Sequence, residues 1–222
     1  MSSNPFIGDV QIALGHDMWL DAAVTTVEKA KAAIVFVHGS GSGRLSPRSQ
    51  AVAAALNRSG FATVLADLLT TNEKRVDEET LRLRFNISLL THRVERVVEW
   101  VHGTLALPAG LFGSSTGAAA ALDAAAWRPD VVGAVVSRGG RPDLSRRLDE
   151  VAVATLLIAA GNDPDVLRIN EKAFIRLRCR KAMQVIPCAT HLFGEPGTLD
   201  RISHLAGEWF DAYLTQPALA GV

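Results

Sequence analysis

The sequence predicts an α/β domain whose mostly parallel sheet is covered by helices on both faces, and three observations carry that prediction. Apolar runs of strand length alternate with stretches of helical period, which is the rhythm of successive βαβ units. Several of the runs, among them Ala32-Ala33-Ile34-Val35-Phe36-Val37, are apolar without alternation, as strands buried on both faces are. The 222 residues suit one sizeable core and are short for two, so a single domain over residues 1–222 is expected.

Taken in order, Val10 to Leu14 and Met18 to Val27 flank Gly15-His16-Asp17 and predict an antiparallel hairpin at the sheet edge. The buried strand 32–37 follows and ends at His38-Gly39-Ser40-Gly41-Ser42-Gly43. A helix is expected from Pro47 to Ser59, a strand from Phe61 to Asp67, and a long helix with Val94, Val97, Val98 and Val101 on its inner face. Thr71 to Leu89 is the least regular stretch; its charges, mixed with Leu81, Leu83, Phe85 and Ile87, suit either a short lid or the start of an ordinary helix. An apolar strand then leads into Gly113-Ser114-Ser115-Thr116-Gly117 and an alanine-rich helix that stops near Arg128-Pro129. Strands 131–137, 155–160 and 182–187 follow, with a helix at 165–178 and a closing helix that turns Leu205, Trp209, Phe210 and Leu214 inward.

Composition removes several function classes. Lysine plus arginine and aspartate plus glutamate each number 23, so no global field favours nucleic acid or an anionic membrane. Met1-Ser2-Ser3-Asn4-Pro5 lacks a basic segment followed by a long apolar one, and the longest apolar runs are too short to span a bilayer. Cys179 and Cys188 fit neither a disulfide framework nor a zinc site. A cytoplasmic protein with no nucleic-acid or membrane partner, and no metal or organic cofactor, is the expectation.

The chemistry gathers around Ser115. Strand, Gly-x-Ser-x-Gly turn and helix are the context of a nucleophile elbow, in which a serine at a sharp corner lifts its hydroxyl above the sheet. Ser114 belongs to the strand side of the bend. A serine needs a base, and among six histidines only His191 lies in a loop after the last strand, at the carboxyl edge of the sheet. His38 sits in the glycine-rich turn and suits packing or hydrogen bonding beneath it; His16, His92, His102 and His204 suit surface or capping positions. Asp163, after the next-to-last strand, is the favoured acid; Asp165 is its competitor and suits a helix N-cap or first turn. Backbone N–H groups of Thr116 and Ser40 are the candidate oxyanion donors. A phosphate-binding loop at residues 39–43 is disfavoured, because the glycines do not follow Gly-x-Gly-x-x-Gly and no Gly-Lys-Ser/Thr follows.

On the His38-Gly39-Ser40-Gly41 loop, the 113–117 elbow, Gly161-Asn162-Asp163 and Ala189-Thr190-His191-Leu192-Phe193, the chain resembles an α/β-hydrolase of the dienelactone hydrolase type, in its compact form without a cap. The resemblance spans roughly residues 30 to 215. It implies a serine, histidine and aspartate triad in that family's chain order. The chain departs from dienelactone hydrolases in carrying serine rather than cysteine at the nucleophile, which implies general ester hydrolysis rather than dienelactone cleavage. Val136 to Asp143, with its Arg138-Gly139-Gly140-Arg141-Pro142 core, also resembles a bacterial subgroup of these hydrolases, some joined to phosphoribosyltransferase domains.

The expected function is therefore cleavage of small carboxylic esters through an acyl-enzyme. A noncatalytic binding protein on the same fold, or transfer of the acyl group to an acceptor other than water, are the alternatives. Arg44, Arg48, Arg138 and Arg141 all fall near the active edge, and Arg44, Arg138 and Arg141 are the candidate substrate contacts, consistent with a small anionic ester.

Overall fold

Strands and helices alternate through residues 6–215, the residues described by the computed structural model. Met1 to Pro5, on which the expectation about a leader rested, lie outside them. The strands are β1 (Ile7–Gly15), β2 (Met18–Thr25), β3 (Ala33–Val37), β4 (Ala62–Ala66), β5 (Ala109–Ser114), β6 (Val132–Arg138), β7 (Ala154–Ala160) and β8 (Lys181–Ile186). The helices are α1 (Pro47–Arg58), α2 (Thr71–Thr80), α3 (Ile87–Trp100), α4 (Thr116–Trp127), α5 (Pro164–Arg176) and α6 (Thr198–Leu214). One sheet results, in the order β1-β2-β4-β3-β5-β6-β7-β8. The hairpin β1–β2 and the β2–β4 pair are antiparallel, and the remaining neighbours are parallel.

The alternation of side chains along each strand divides the core in two. Val35, Val64, Leu111, Val135 and Leu157 pack with α3, α4 and α5, while Ile34, Phe36, Phe112, Val136 and Ile158 pack with α1 and α6. Phe36 and Phe112 meet at 5.0 Å between ring centroids in the second layer. Burying each such aromatic or leucine side chain contributes about 1.5–3 kcal/mol. The alanines of α4 let that helix lie close under β5, and residues 118–121 are wholly buried.

Two features depart from the sequence expectation. Residues 71–80 form a helix with its own start signal: Thr70 accepts from the Glu73 N–H at 3.2 Å, and Glu73 accepts from the Thr70 N–H at 2.8 Å. This capping box makes α2 an element in its own right, followed by a short 3-10 turn at Leu83–Phe85. Asp77 then fastens the turn, accepting from the N–H groups of Leu83 and Arg84 and from Arg84 Nε. The long valine-bearing helix stops at Trp100; the chain continues through a wider π-helical turn at Val101–Leu105, with Val101 still in the core. No helix among the described residues is long and apolar enough to cross a membrane.

Candidate active site

β5 runs into α4 through Ser115, whose backbone sits at φ 51° and ψ −126°. For a residue with a side chain this region costs about 1–3 kcal/mol and persists only where its surroundings impose it. Here they do. A Cβ on Gly113 would stand 2.6 Å from the Ala118 Cα, and one on Gly117 would collide with the carbonyl oxygens of Val37 and His38. Gly39 has the same constraint from the other side, since a Cβ there would lie 2.8 Å from the Ser115 Cβ. The corner is also tied to the segment after β6. The Ser115 N–H donates to the Arg138 carbonyl at 3.4 Å, and the Ser115 carbonyl accepts from the Arg141 N–H at 3.0 Å. Ser114 is buried below the bend.

Asp163 follows β7 and serves two bonds with its two oxygens. Oδ1 caps α5 by accepting from the Val166 N–H at 3.3 Å, and Oδ2 lies 2.6 Å from His191 Nδ1. That contact places the imidazole proton on Nδ1 and leaves Nε2 as an acceptor, the state a general base requires. Asp165 is exposed in the first turn of α5, 3.6 Å from Arg168, and does not reach the histidine. The loop that carries His191 is secured by Glu195, which accepts from the Thr190 N–H at 3.0 Å and hydroxyl at 2.6 Å; these bonds hold its carboxyl below the usual range. Thr198 donates to the Phe193 carbonyl at 2.7 Å and closes the loop against α6.

No Ser115–His191 hydrogen bond is present among the described residues. Such bonds often tighten only when substrate fills the site. The donors are similarly at rest. Thr116 opens α4, where an N–H has no acceptor within its helix. The Ser40 N–H is engaged, donating to Thr116 Oγ1 at 3.0 Å, so an oxyanion must share or displace that hydroxyl.

His38 belongs to the scaffold. Its Nε2 accepts the Leu68 N–H at 3.1 Å, so its proton sits on Nδ1 and donates to the Gly39 carbonyl at 3.0 Å. Burial holds it below its ordinary value, against the backbone bond to Gly39 and the charge of Asp67, which raise it.

Beside the elbow opens a cavity of about 780 Å³, lined by residues 38–48, Asp67, Leu69 and Leu90, by Lys74, Asp77, Glu78 and Arg84 of the α2 region, and by Leu192. The 71–89 segment is thus one wall of this space. Two of the candidate substrate arginines are engaged by acids. The Arg44 backbone N–H donates to Asp67 Oδ1 at 2.9 Å, while its side chain lies 3.3 Å from Asp67 Oδ2 and 3.8 Å from Asp9. Arg141 holds Asp143 with two parallel bonds of 2.8 Å, which raise the arginine further. Their side chains lie near the edge as expected, but their charge is already answered. Arg138 differs, its buried Nε having no partner among the described residues.

Sequence reasoning missed four residues that hold this architecture. Asp67, buried at the end of β4, gathers Arg44 and Lys74, the latter at 2.7 Å. Asp123, buried on α4, accepts from Ser145 and from the Arg146 and Arg147 N–H groups. Asn170 of α5 donates to the Gly140 carbonyl at 3.0 Å, so the glycine-rich segment after β6 is pinned from both neighbouring helices. Glu195 is the fourth. An acid inside an alanine helix, as Asp123 is, was the one readable signal.

The sheet order, the elbow and the placement of acid and base after β7 and β8 define the α/β-hydrolase class. No family model matches the sequence. The chain is similar to a solved dienelactone hydrolase from Anabaena variabilis, with 45% identity, 95% of this chain and 99% of that chain covered, and a TM-score of 0.91. The Est1E structure from Butyrivibrio proteoclasticus shares the fold at 15% identity, with 91% and 97% covered and a TM-score of 0.75. A curated protein of Mycobacterium tuberculosis, provisionally named a phosphoribosyl transferase, is 46% identical over 202 residues, 89% of this chain. The chain spans about half the length of the curated relatives it matches, 45% of each. The chain belongs to the dienelactone hydrolase-like family of α/β-hydrolases.

Proposed function

We propose that the protein hydrolyses carboxylic esters of small molecules through an acyl-enzyme on Ser115. The observation that carries this reading is the strained backbone of Ser115, held between Gly39, Gly113 and Gly117 and beside a base already oriented by Asp163. A plain strand-to-helix loop has no need of that conformation.

In the first half-reaction Ser115 Oγ attacks the acyl carbon while His191 Nε2 takes its proton. The C–O bond to the alcohol breaks as the tetrahedral intermediate collapses, and His191 returns the proton to the departing oxygen. In the second, His191 takes a proton from water, which attacks the acyl-enzyme; the acid leaves and the proton returns to Ser115. Asp163 keeps Nδ1 protonated and stabilises the imidazolium in both halves. The Thr116 N–H holds the oxyanion, and the Ser40 N–H joins it by turning from Thr116 Oγ1. Serine in place of the family's cysteine favours ordinary esters over dienelactones. The phosphoribosyl transferase name is carried by chains about twice this length, and the groups gathered here suit acyl transfer.

Turnover of p-nitrophenyl acetate tests the reading. Wild type should hydrolyse it, and Ser115→Ala, with unchanged circular dichroism, should lose at least about 10³-fold in kcat; activity retained by the folded variant would refute the assignment.

A further inference from the structure

Arg48 and Arg138 stand apart from the arginines that acids neutralise. Arg48 lies in the first turn of α1 and lines the cavity together with Leu192, the neighbour of His191 in the chain. Arg138 is the last residue of β6, and its carbonyl accepts the N–H of Ser115. Val136 packs on the α1 and α6 side of the sheet, so alternation sends the Arg138 side chain to the same side, above that layer. There its guanidinium lies 5.5 Å from the ring centroid of the fully buried Phe193. The Nε atoms of both arginines are buried with no hydrogen-bond partner among the described residues. No acid moderates Arg138: burial, and after it the like charge of Arg48, lower it to about 10.

Cations held partly out of water are ordinarily paired, because desolvating a charge is costly and a like neighbour adds to the cost. At about 10 the Arg138 group remains charged at neutral pH. Arg48 lines the cavity, Arg138 stands on the ring of Phe193 next in the chain to the cavity-lining Leu192, and the buried Nε of neither has a partner among the described residues. One carboxylate would leave a positive charge over. A phosphate monoester carries about −1.5 to −2 at pH 7 and offers oxygens in the geometry that guanidinium forks match. We propose that Arg48 and Arg138 form a phosphate-binding site beside Ser115, so that the preferred substrates carry a phosphate monoester next to the acyl ester that is cleaved. What is cleaved rests on the ester hydrolysis proposed above; what is bound does not.

Titration calorimetry with inorganic phosphate, on the full chain and on its Ser115→Ala variant, reads binding without turnover. Both proteins should bind phosphate. Arg48→Gln and Arg138→Gln should each weaken it about tenfold or more, the loss of one charged hydrogen-bonding partner. Arg176→Gln, at an exposed arginine paired with Asp149 away from the cavity, should leave phosphate binding unchanged, and acetate should bind wild type about tenfold more weakly than phosphate does. Absence of phosphate binding to wild type, equal binding by the folded Arg48→Gln variant, or acetate binding as tight as phosphate would overturn the proposal. Should Arg138→Gln fail to fold, the partly exposed Arg48 decides alone. If Ser115→Ala kept its ester turnover while phosphate binding still depended on the arginines, the hydrolytic reading would fall and the phosphate site would stand.

Discussion

At the elbow, backbone and side chains are held by partners: Ser115 is bonded through both its N–H and its carbonyl, Asp163 uses both oxygens, and Glu195 ties down the loop of His191. Beside it, Arg48 and Arg138 keep buried Nε atoms without a hydrogen-bond partner or an ion-paired acid among the described residues, while Arg44, whose Nε also lacks a hydrogen bond but lies 3.3 Å from Asp67 Oδ2, and Arg141 are answered by Asp67 and Asp143. The contrast separates two tasks. Groups that move a proton must be positioned before substrate arrives, because any reorganisation during reaction adds to the barrier. Groups that select a substrate gain discrimination when the correct ligand alone completes them.

The sharpest way to break this comparison is through the two aspartates of Gly161-Asn162-Asp163-Pro164-Asp165. Asp163→Asn keeps the shape but cannot fix the His191 tautomer, and should lower kcat for p-nitrophenyl acetate by about 10⁴-fold. Asp165→Asn, on an exposed side chain bound to Arg168, should change kcat less than about twofold. Comparable losses in the two variants would mean that the 2.6 Å contact to His191 does not orient the base.

A smaller effect belongs to the scaffold under the donor loop. Burial holds His38 below 6.5, so below that pH the unfolded chain takes up a proton that the folded chain does not. Its contribution is complete above the ordinary value and is lost as pH falls through the interval down to the folded one. Denaturant unfolding at pH 7 and pH 5.5 should therefore show wild type losing more stability than His38→Gln. The difference in slope is bounded at about 1.4 kcal/mol per pH unit. Equal slopes would show that His38 takes up its proton alike in the folded and unfolded chains, against the lowering by burial.

The elbow was legible because its requirements are local: two glycines and a serine between a strand and a helix state a backbone geometry within five residues. Asp163 and His191 were legible through topology, since loops after parallel strands share one edge of the sheet whatever their separation in the chain. The stretch 71–89 stayed open between a lid and a helix start although Thr70-Thr71-Asn72-Glu73 spelled the capping box of α2, because its exposed, charged face carries little apolar period. The fate of the arginines was not legible. Arg44 meets Asp67 across 23 residues and an intervening helix, and no local pattern tells a paired guanidinium from an unpaired one. The same holds for Ser40, whose N–H bond to Thr116 Oγ1 joins loops after different strands.

The central claim is that Ser115, raised on a strained corner, is the nucleophile. Labelling the full chain with a fluorophosphonate, followed by peptide mapping of the modified site, tests it most directly. The account predicts one modified residue, Ser115, and no labelling of the folded Ser115→Ala protein; a label on any other residue, or undiminished labelling of that variant, would contradict it.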